Sequence, residues 1–161
     1  NTLTAALATI KENNDIQFIW QTGKYYYPQV TEAVRAAGEL PNLYVTDFIK
    51  DMAAAYAASD LVISRAGAGS ISEFCLLHKP VVLVPSPNVA EDHQTKNAMA
   101  LVDKGAAVMI RDTEAEERLE QVLTGLLSDE KQRKELEKHI AKLAIRDSDE
   151  QIAREILKVI G

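Results

Sequence analysis

Two short segments constrain the fold more than anything else in this chain. Leu61-Val62-Ile63 and Val81-Val82-Leu83-Val84 are apolar at every position. A strand that is apolar on both faces has to be covered on both faces, the situation of a parallel sheet flanked by helices. Further short strands are expected at residues 16–20, 42–46 and 106–110. Between them, residues 2–13, 28–37, 51–58, 70–78 and 91–104 carry helical signals, with stops at Asn13-Asn14, Gly38 and Gly105. Strand and helix alternate, and parallel crossovers have a fixed hand, so the expected fold is α/β with a doubly wound parallel sheet.

The last 49 residues differ from the rest. Residues 113–161 contain no proline and hold half of all the Asp, Glu, Lys and Arg in the chain. They read as amphipathic helices at about 113–125, 129–144 and 148–160, a helical tail with wet outer faces. The whole of 1–161 is expected to be a single domain, because 161 residues is the size of one. A doubly wound domain ordinarily opens with a strand, whereas this chain opens with a helix and with Asn1 rather than Met. The expectation is a first strand upstream of residue 2.

Composition removes several function classes. A net charge of −6 argues against a basic nucleic-acid groove. The lone cysteine, Cys75, excludes an internal disulfide framework and a cysteine-based zinc cluster. No His/Asp/Glu group has metal-ligand spacing, so no metal and no cofactor is expected. No apolar run reaches the length of a membrane span.

Three segments just past strand ends carry the candidate chemistry, since ligands of open parallel sheets bind beyond the carboxyl ends of the strands. The first is Ser64-Arg65-Ala66-Gly67-Ala68-Gly69-Ser70, running from a strand into a helix. Backbone N–H groups of Gly67, Ala68, Gly69 and Ser70, at the positive end of the helix dipole, would suit phosphate or diphosphate. No Gly-Lys-Ser/Thr follows, and Ser72 stands where the dinucleotide fingerprint has its third glycine. A glycine pair here also reads as a tight turn with close helix–strand packing. Glu73 lies three residues after Ser70; it reads either as the far half of a capping box or as an acceptor for sugar hydroxyls. Arg65 reads as a phosphate ligand or as half of a buried ion pair with Asp60.

The second segment, Pro85-Ser86-Pro87 through Asp92-His93-Gln94 to Asn97, again joins a buried strand to a helix. Asp92, His93, Gln94 and Asn97 supply donors and acceptors suited to sugar hydroxyls, or a polar helix start with Asp92 as its cap. The third is Phe48, Ile49 and Met52, apolar where a loop is ordinarily polar. These residues wall a planar base or bury a short helix against the sheet. Tyr25-Tyr26-Tyr27 is either an exposed patch or a cap on the sheet.

Taken in order, the residues form a specific pattern. It comprises Phe48-Ile49-x-Asp51-Met52-Ala53, Asp60, Ser64-Arg65-x-Gly67-Ala68-x-Ser70-x-x-Glu73, Pro80, Val84-Pro85 and Asp92-His93-Gln94-x-x-Asn97-Ala98. From about Trp20 to Val108 the chain resembles the C-terminal half of the MurG-type glycosyltransferases, with the tail matched only in character. That resemblance implies a Rossmann-like domain forming one half of a GT-B enzyme. It implies transfer of N-acetylglucosamine from UDP-GlcNAc to undecaprenyl-diphospho-N-acetylmuramoyl-pentapeptide (lipid I), giving lipid II for peptidoglycan. Such an enzyme is peripheral to the cytoplasmic side of the bacterial inner membrane.

By the same resemblance, Ile49 would meet the uracil edge through its backbone, beside Phe48 and Met52. The N–H groups of Ala68, Gly69 and Ser70 would hold the diphosphate and Glu73 the ribose hydroxyls. Gln94, with Asp92, His93 and Asn97 near it, would bind GlcNAc; His93 stands where members often carry glutamine. The acceptor-binding domain with its catalytic base, and a Gly-Gly-Ser-type loop after the first strand, would lie upstream. No catalytic residue is therefore expected in this chain, and no transferase activity from it alone. Other assignments stay open: another GT-B nucleotide-sugar enzyme, such as a UDP-GlcNAc 2-epimerase or a lipid glycosyltransferase, or a non-catalytic donor-binding subunit with a membrane-bound partner.

Overall fold

The computed structural model describes residues 2–87 and 92–160. Among these, the chain runs α1 (Thr2–Glu12), β1 (Phe18–Gln21), α2 (Gly23–Ala37), β2 (Leu43–Thr46), α3 (Met52–Ala58), β3 (Val62–Ser64), α4 (Ala68–Leu77), β4 (Val81–Leu83), α5 (His93–Val102) and β5 (Val108–Met109). A 3₁₀ turn (Asp112–Glu114), α6 (Ala115–Ser128), α7 (Glu130–Ala141) and α8 (Ser148–Ile160) complete it. This is the expected α/β alternation, and every strand pair is parallel. The chain divides into two compact units, one of Asn1–Asp60 with Ile110–Ser128 and one of Leu61–Met109 with Asp129–Gly161. The helical tail is thus shared: α6 belongs to the first unit, α7 and α8 to the second.

In the first unit β1 pairs with β2, Phe18 opposite Leu43 and Gln21 opposite Thr46. Its core is built from α1, α2 and α6, whose Leu7, Ile10, Val30, Leu123 and Leu126 are buried. Asn42, 3% exposed, ties α1 to the start of β2: its Nδ2 lies 3.0–3.1 Å from the carbonyl oxygens of Ile10, Asn13 and Ile16.

In the second unit β4 lies between β3 and β5. Val81, Val82 and Leu83 have no exposed surface, as their all-apolar sequence requires. Phe74 of α4, Leu101 of α5 and Leu136 and Ile140 of α7 close over this unit's core. Cys75 is buried, and burial pushes its thiol pKa up, the environment of an inert thiol. The remaining strands depart from expectation. Ile19 and Tyr44, opposite each other on the β1–β2 pair, stand well exposed, and so does Ile63 on β3.

Several boundaries also differ. Helix α2 starts at Gly23, not near Pro28, and takes the proline into its interior. Proline cannot donate to the carbonyl of Lys24, but that loss falls close to the helix start. Gly23, at φ +73°, makes the turn out of β1 that admits the early start. The three tyrosines therefore lie on the first turns of an exposed helix; Tyr25 and Tyr26 pack edge to face at 4.9 Å. The helix expected from residue 91 begins at His93 among the described residues, and Glu91 lies outside them.

Candidate functional site

The carboxyl end of β3 leads directly into α4. The ladder to β4 runs one bond past the strand, with Val84 N–H donating to Ser64 O at 2.8 Å. Ala66 then turns inward with no exposed surface. Gly67 is the helix N-cap in extended conformation, and it offers no side-chain cap. The first intrahelical bond is Ile71 N–H to Gly67 O at 3.0 Å. The N–H groups of Ala68, Gly69 and Ser70 precede that bond and have no carbonyl one turn back to donate to.

This overturns the capping box. Ser70 is the third residue of α4, not its cap, and Glu73 sits exposed in mid-helix one turn beyond it. The close-packing account of the glycines also fails. Neither Gly67 nor Gly69 has positive φ. A Cβ on Gly69 would meet nothing within 4 Å, and one on Gly67 only the Ser70 hydroxyl at 3.9 Å. The fold itself does not require these glycines; they keep the helix end bare.

Three side chains hold this turn in place. Arg65 Nη1 donates to the carbonyls of Val84 and Pro85, at 3.1 and 3.3 Å. Arg65 is exposed, so it is not half of a buried ion pair. Gln94, from the first turn of α5, accepts two backbone N–H bonds on one oxygen: from Ser86 at 2.9 Å and from Ala66 at 3.2 Å. Asn97 Nδ2 donates to Ala66 O at 3.1 Å. Both polar groups of the buried Ala66 are thereby satisfied by α5, as a buried backbone demands. These bonds fix which end of each amide faces inward, leaving Gln94 Nε2 and Asn97 Oδ1 as the outward ends. Asp92 precedes α5 at φ +56° and makes no side-chain cap bond, so it does not play the cap role. His93 is the exposed first residue of α5.

The third segment lies in the first unit. Phe48 is 61% exposed just past β2, while Ile49 and Met52 are half-buried. Phe48 is therefore not a core residue. Thr46 Oγ1 takes up the Phe48 backbone, donating to its carbonyl at 3.0 Å and accepting its N–H at 3.3 Å. Asp51 caps α3 by accepting the Ala54 N–H at 2.9 Å. Gln21, at the end of β1, accepts the Ile49 N–H at 2.8 Å. Gln21 escaped the sequence reading; its signal is an amide placed between an apolar strand and the Thr22-Gly23 turn. Among the described residues no group of three His, Cys, Asp or Glu is placed to hold a metal ion.

The profile of the glycosyltransferase family 28 C-terminal domain matches residues 1–152. The chain belongs to this family. It is 79% identical over 159 residues to a UDP-N-acetylglucosamine–N-acetylmuramyl-(pentapeptide) pyrophosphoryl-undecaprenol N-acetylglucosamine transferase of Bacteroides thetaiotaomicron. That alignment covers 99% of this chain and 43% of the relative. A Bacteroides fragilis protein of the same name is 65% identical, with 99% and 42% covered. The chain thus spans less than half the length of the curated relatives it matches. Among solved structures, MurG of Acinetobacter baumannii matches with TM-score 0.78 and 27% identity over 98% of this chain and 50% of that one. The family 28 assignment agrees with the resemblance read from the motifs, and the structural match with a Rossmann-like GT-B half.

Proposed function

We propose that this chain is the UDP-GlcNAc-binding half of an inverting glycosyltransferase that converts lipid I to lipid II. The observation that carries the reading is the first turn of α4: glycine-flanked, without a side-chain cap, with open space beside Gly69. The identity to transferases of that printed name supports the donor and the acceptor.

In this reading Phe48, Ile49 and Met52 receive uracil, and Glu73 accepts from the ribose hydroxyls. The N–H groups of Ala68, Gly69 and Ser70 bind the diphosphate. The outward amide of Gln94, with Asp92, His93 and Asn97, meets the GlcNAc hydroxyls. In the reaction the acceptor 4-hydroxyl oxygen bonds to the anomeric carbon from the face opposite UDP. The bond from that carbon to the diphosphate oxygen breaks, and UDP leaves with the electron pair. Donors fixed at a helix N-terminus stabilise that developing charge without a metal. The hydroxyl proton passes to a base in the part of the enzyme that this chain does not span, which also binds the acceptor. Among the described residues no helix is long and apolar enough to cross a membrane; the whole enzyme would work as a peripheral protein on the cytoplasmic side of the inner membrane.

The test is a calorimetric titration of UDP, UDP-GlcNAc and ADP, repeated on Glu73→Ala. Both uridine ligands bind, ADP does not, and the substitution weakens binding; the chain alone makes no lipid II. A folded chain that prefers ADP, or that ignores Glu73→Ala, refutes the assignment.

A further inference from the structure

We propose that Gln21 is a built-in competitor for the nucleobase: its carboxamide oxygen occupies the Ile49 N–H that a base carbonyl takes when nucleotide binds. This rests on the uridine reading above and adds a residue that sets the affinity of that site.

The bond joins residues 28 apart in sequence at an exposed position, 2.8 Å from Oε1 to the Ile49 nitrogen. A carboxamide oxygen presents the same acceptor as the carbonyl of a pyrimidine imide. The neighbouring backbone is already committed: both polar groups of Phe48 are taken by the Thr46 hydroxyl. Ile49 is the next residue on this loop, and an exposed side chain holds its N–H. Its N–H and C=O together form a donor–acceptor pair, the complement of a carbonyl beside a ring N–H. That pair matches uracil, whereas cytosine presents an amino donor and a bare ring nitrogen at the same edge. Phe48, exposed one residue away, supplies the apolar surface for the ring.

While Gln21 holds the N–H, a base has to displace it, and apparent affinity falls by the fraction of molecules in which the amide has swung away. The side chain is exposed at the end of β1, so it rotates into water without opening the core. The exchange keeps the N–H satisfied in both states, as a backbone donor requires.

The experiment is calorimetry of UDP and CDP against the chain and against Gln21→Ala and Gln21→Met, the second keeping length without an acceptor. The Ile49 amide is followed in parallel by NMR. In the free variants the Ile49 amide shifts and exchanges faster. UDP binds about three- to tenfold more tightly to both variants, the range set by one net hydrogen bond. CDP stays weak, and the Ile49 amide of the unsubstituted chain moves on adding UDP. Unchanged or weaker UDP binding by both variants overturns the proposal and makes Gln21 a support for the loop, with the uridine reading intact. An unmoved Ile49 amide in a chain that binds UDP also overturns it. If neither the unsubstituted chain nor the variants bind UDP, the uridine reading falls and the competitor role with it.

Discussion

Gly69→Ala separates what the fold asks of the α4 terminus from what a ligand asks of it. Gly69 is the second residue of α4, without positive φ, and a methyl there would meet nothing within 4 Å. Alanine in place of a helical glycine stabilises by about 0.5–1 kcal/mol, chiefly by removing freedom from the unfolded chain. For a chain of this size that raises the midpoint of thermal unfolding by roughly 1–4 °C. If the diphosphate lies against the bare turn, the same methyl intrudes on a tight contact and costs about 1–3 kcal/mol, a loss of roughly 5- to 150-fold in affinity. Calorimetric melting and a UDP titration on one protein preparation read both quantities. The expected result is a protein that is more stable and binds worse. A stabilised variant with unchanged UDP affinity refutes the claim that the glycine is kept for the ligand, and a destabilised one refutes the geometry of the turn.

Two further outcomes follow from the same structure. Gln94→Ala leaves the N–H of the fully buried Ala66 without its acceptor, and is expected to cost about 1–3 kcal/mol in urea unfolding; an unchanged midpoint would show that the bond is not made in solution. Gly105→Ala meets two obstacles at once, a φ of +64° and a Cβ 3.0 Å from Nδ1 of His139. It is expected to destabilise by about 1–2 kcal/mol from backbone strain alone, with Gly105→Asn costing less, which thermal melting would check.

The sequence made the fold class readable because Leu61–Ile63 and Val81–Val84 are apolar without interruption, and a parallel sheet is the arrangement that asks for such segments, although only β4 is buried on both faces. The α4 turn was readable as well, since glycines between a strand and a helix have few uses. What misled was local chemistry that competes. Ser70 and Glu73 have capping-box spacing, yet Gly67 takes the cap because the chain leaves β3 extended at that point. Pro28 looked like a helix start, but Gly23 had already made the turn. Gln94 and Asn97 were picked out as sugar ligands on polarity, and their backbone bonds to Ala66 and Ser86 were invisible, because those partners are fixed only by the fold. Gln21 was missed for the same reason: nothing local relates it to Ile49.

Ala66 has one further consequence. Its N–H and C=O are anchored to two side chains of a helix about thirty positions later, so the end of β3 is written in α5. Positions 94 and 97 therefore answer to two demands, one from the backbone inward and one from whatever lies outward. The same residues found in a related protein would by themselves be no sign of a shared sugar. A relative that switched donors would be expected to keep an oxygen at the inner end of residue 94 and vary the outer end alone. Glutamate is the substitution that does this in one step.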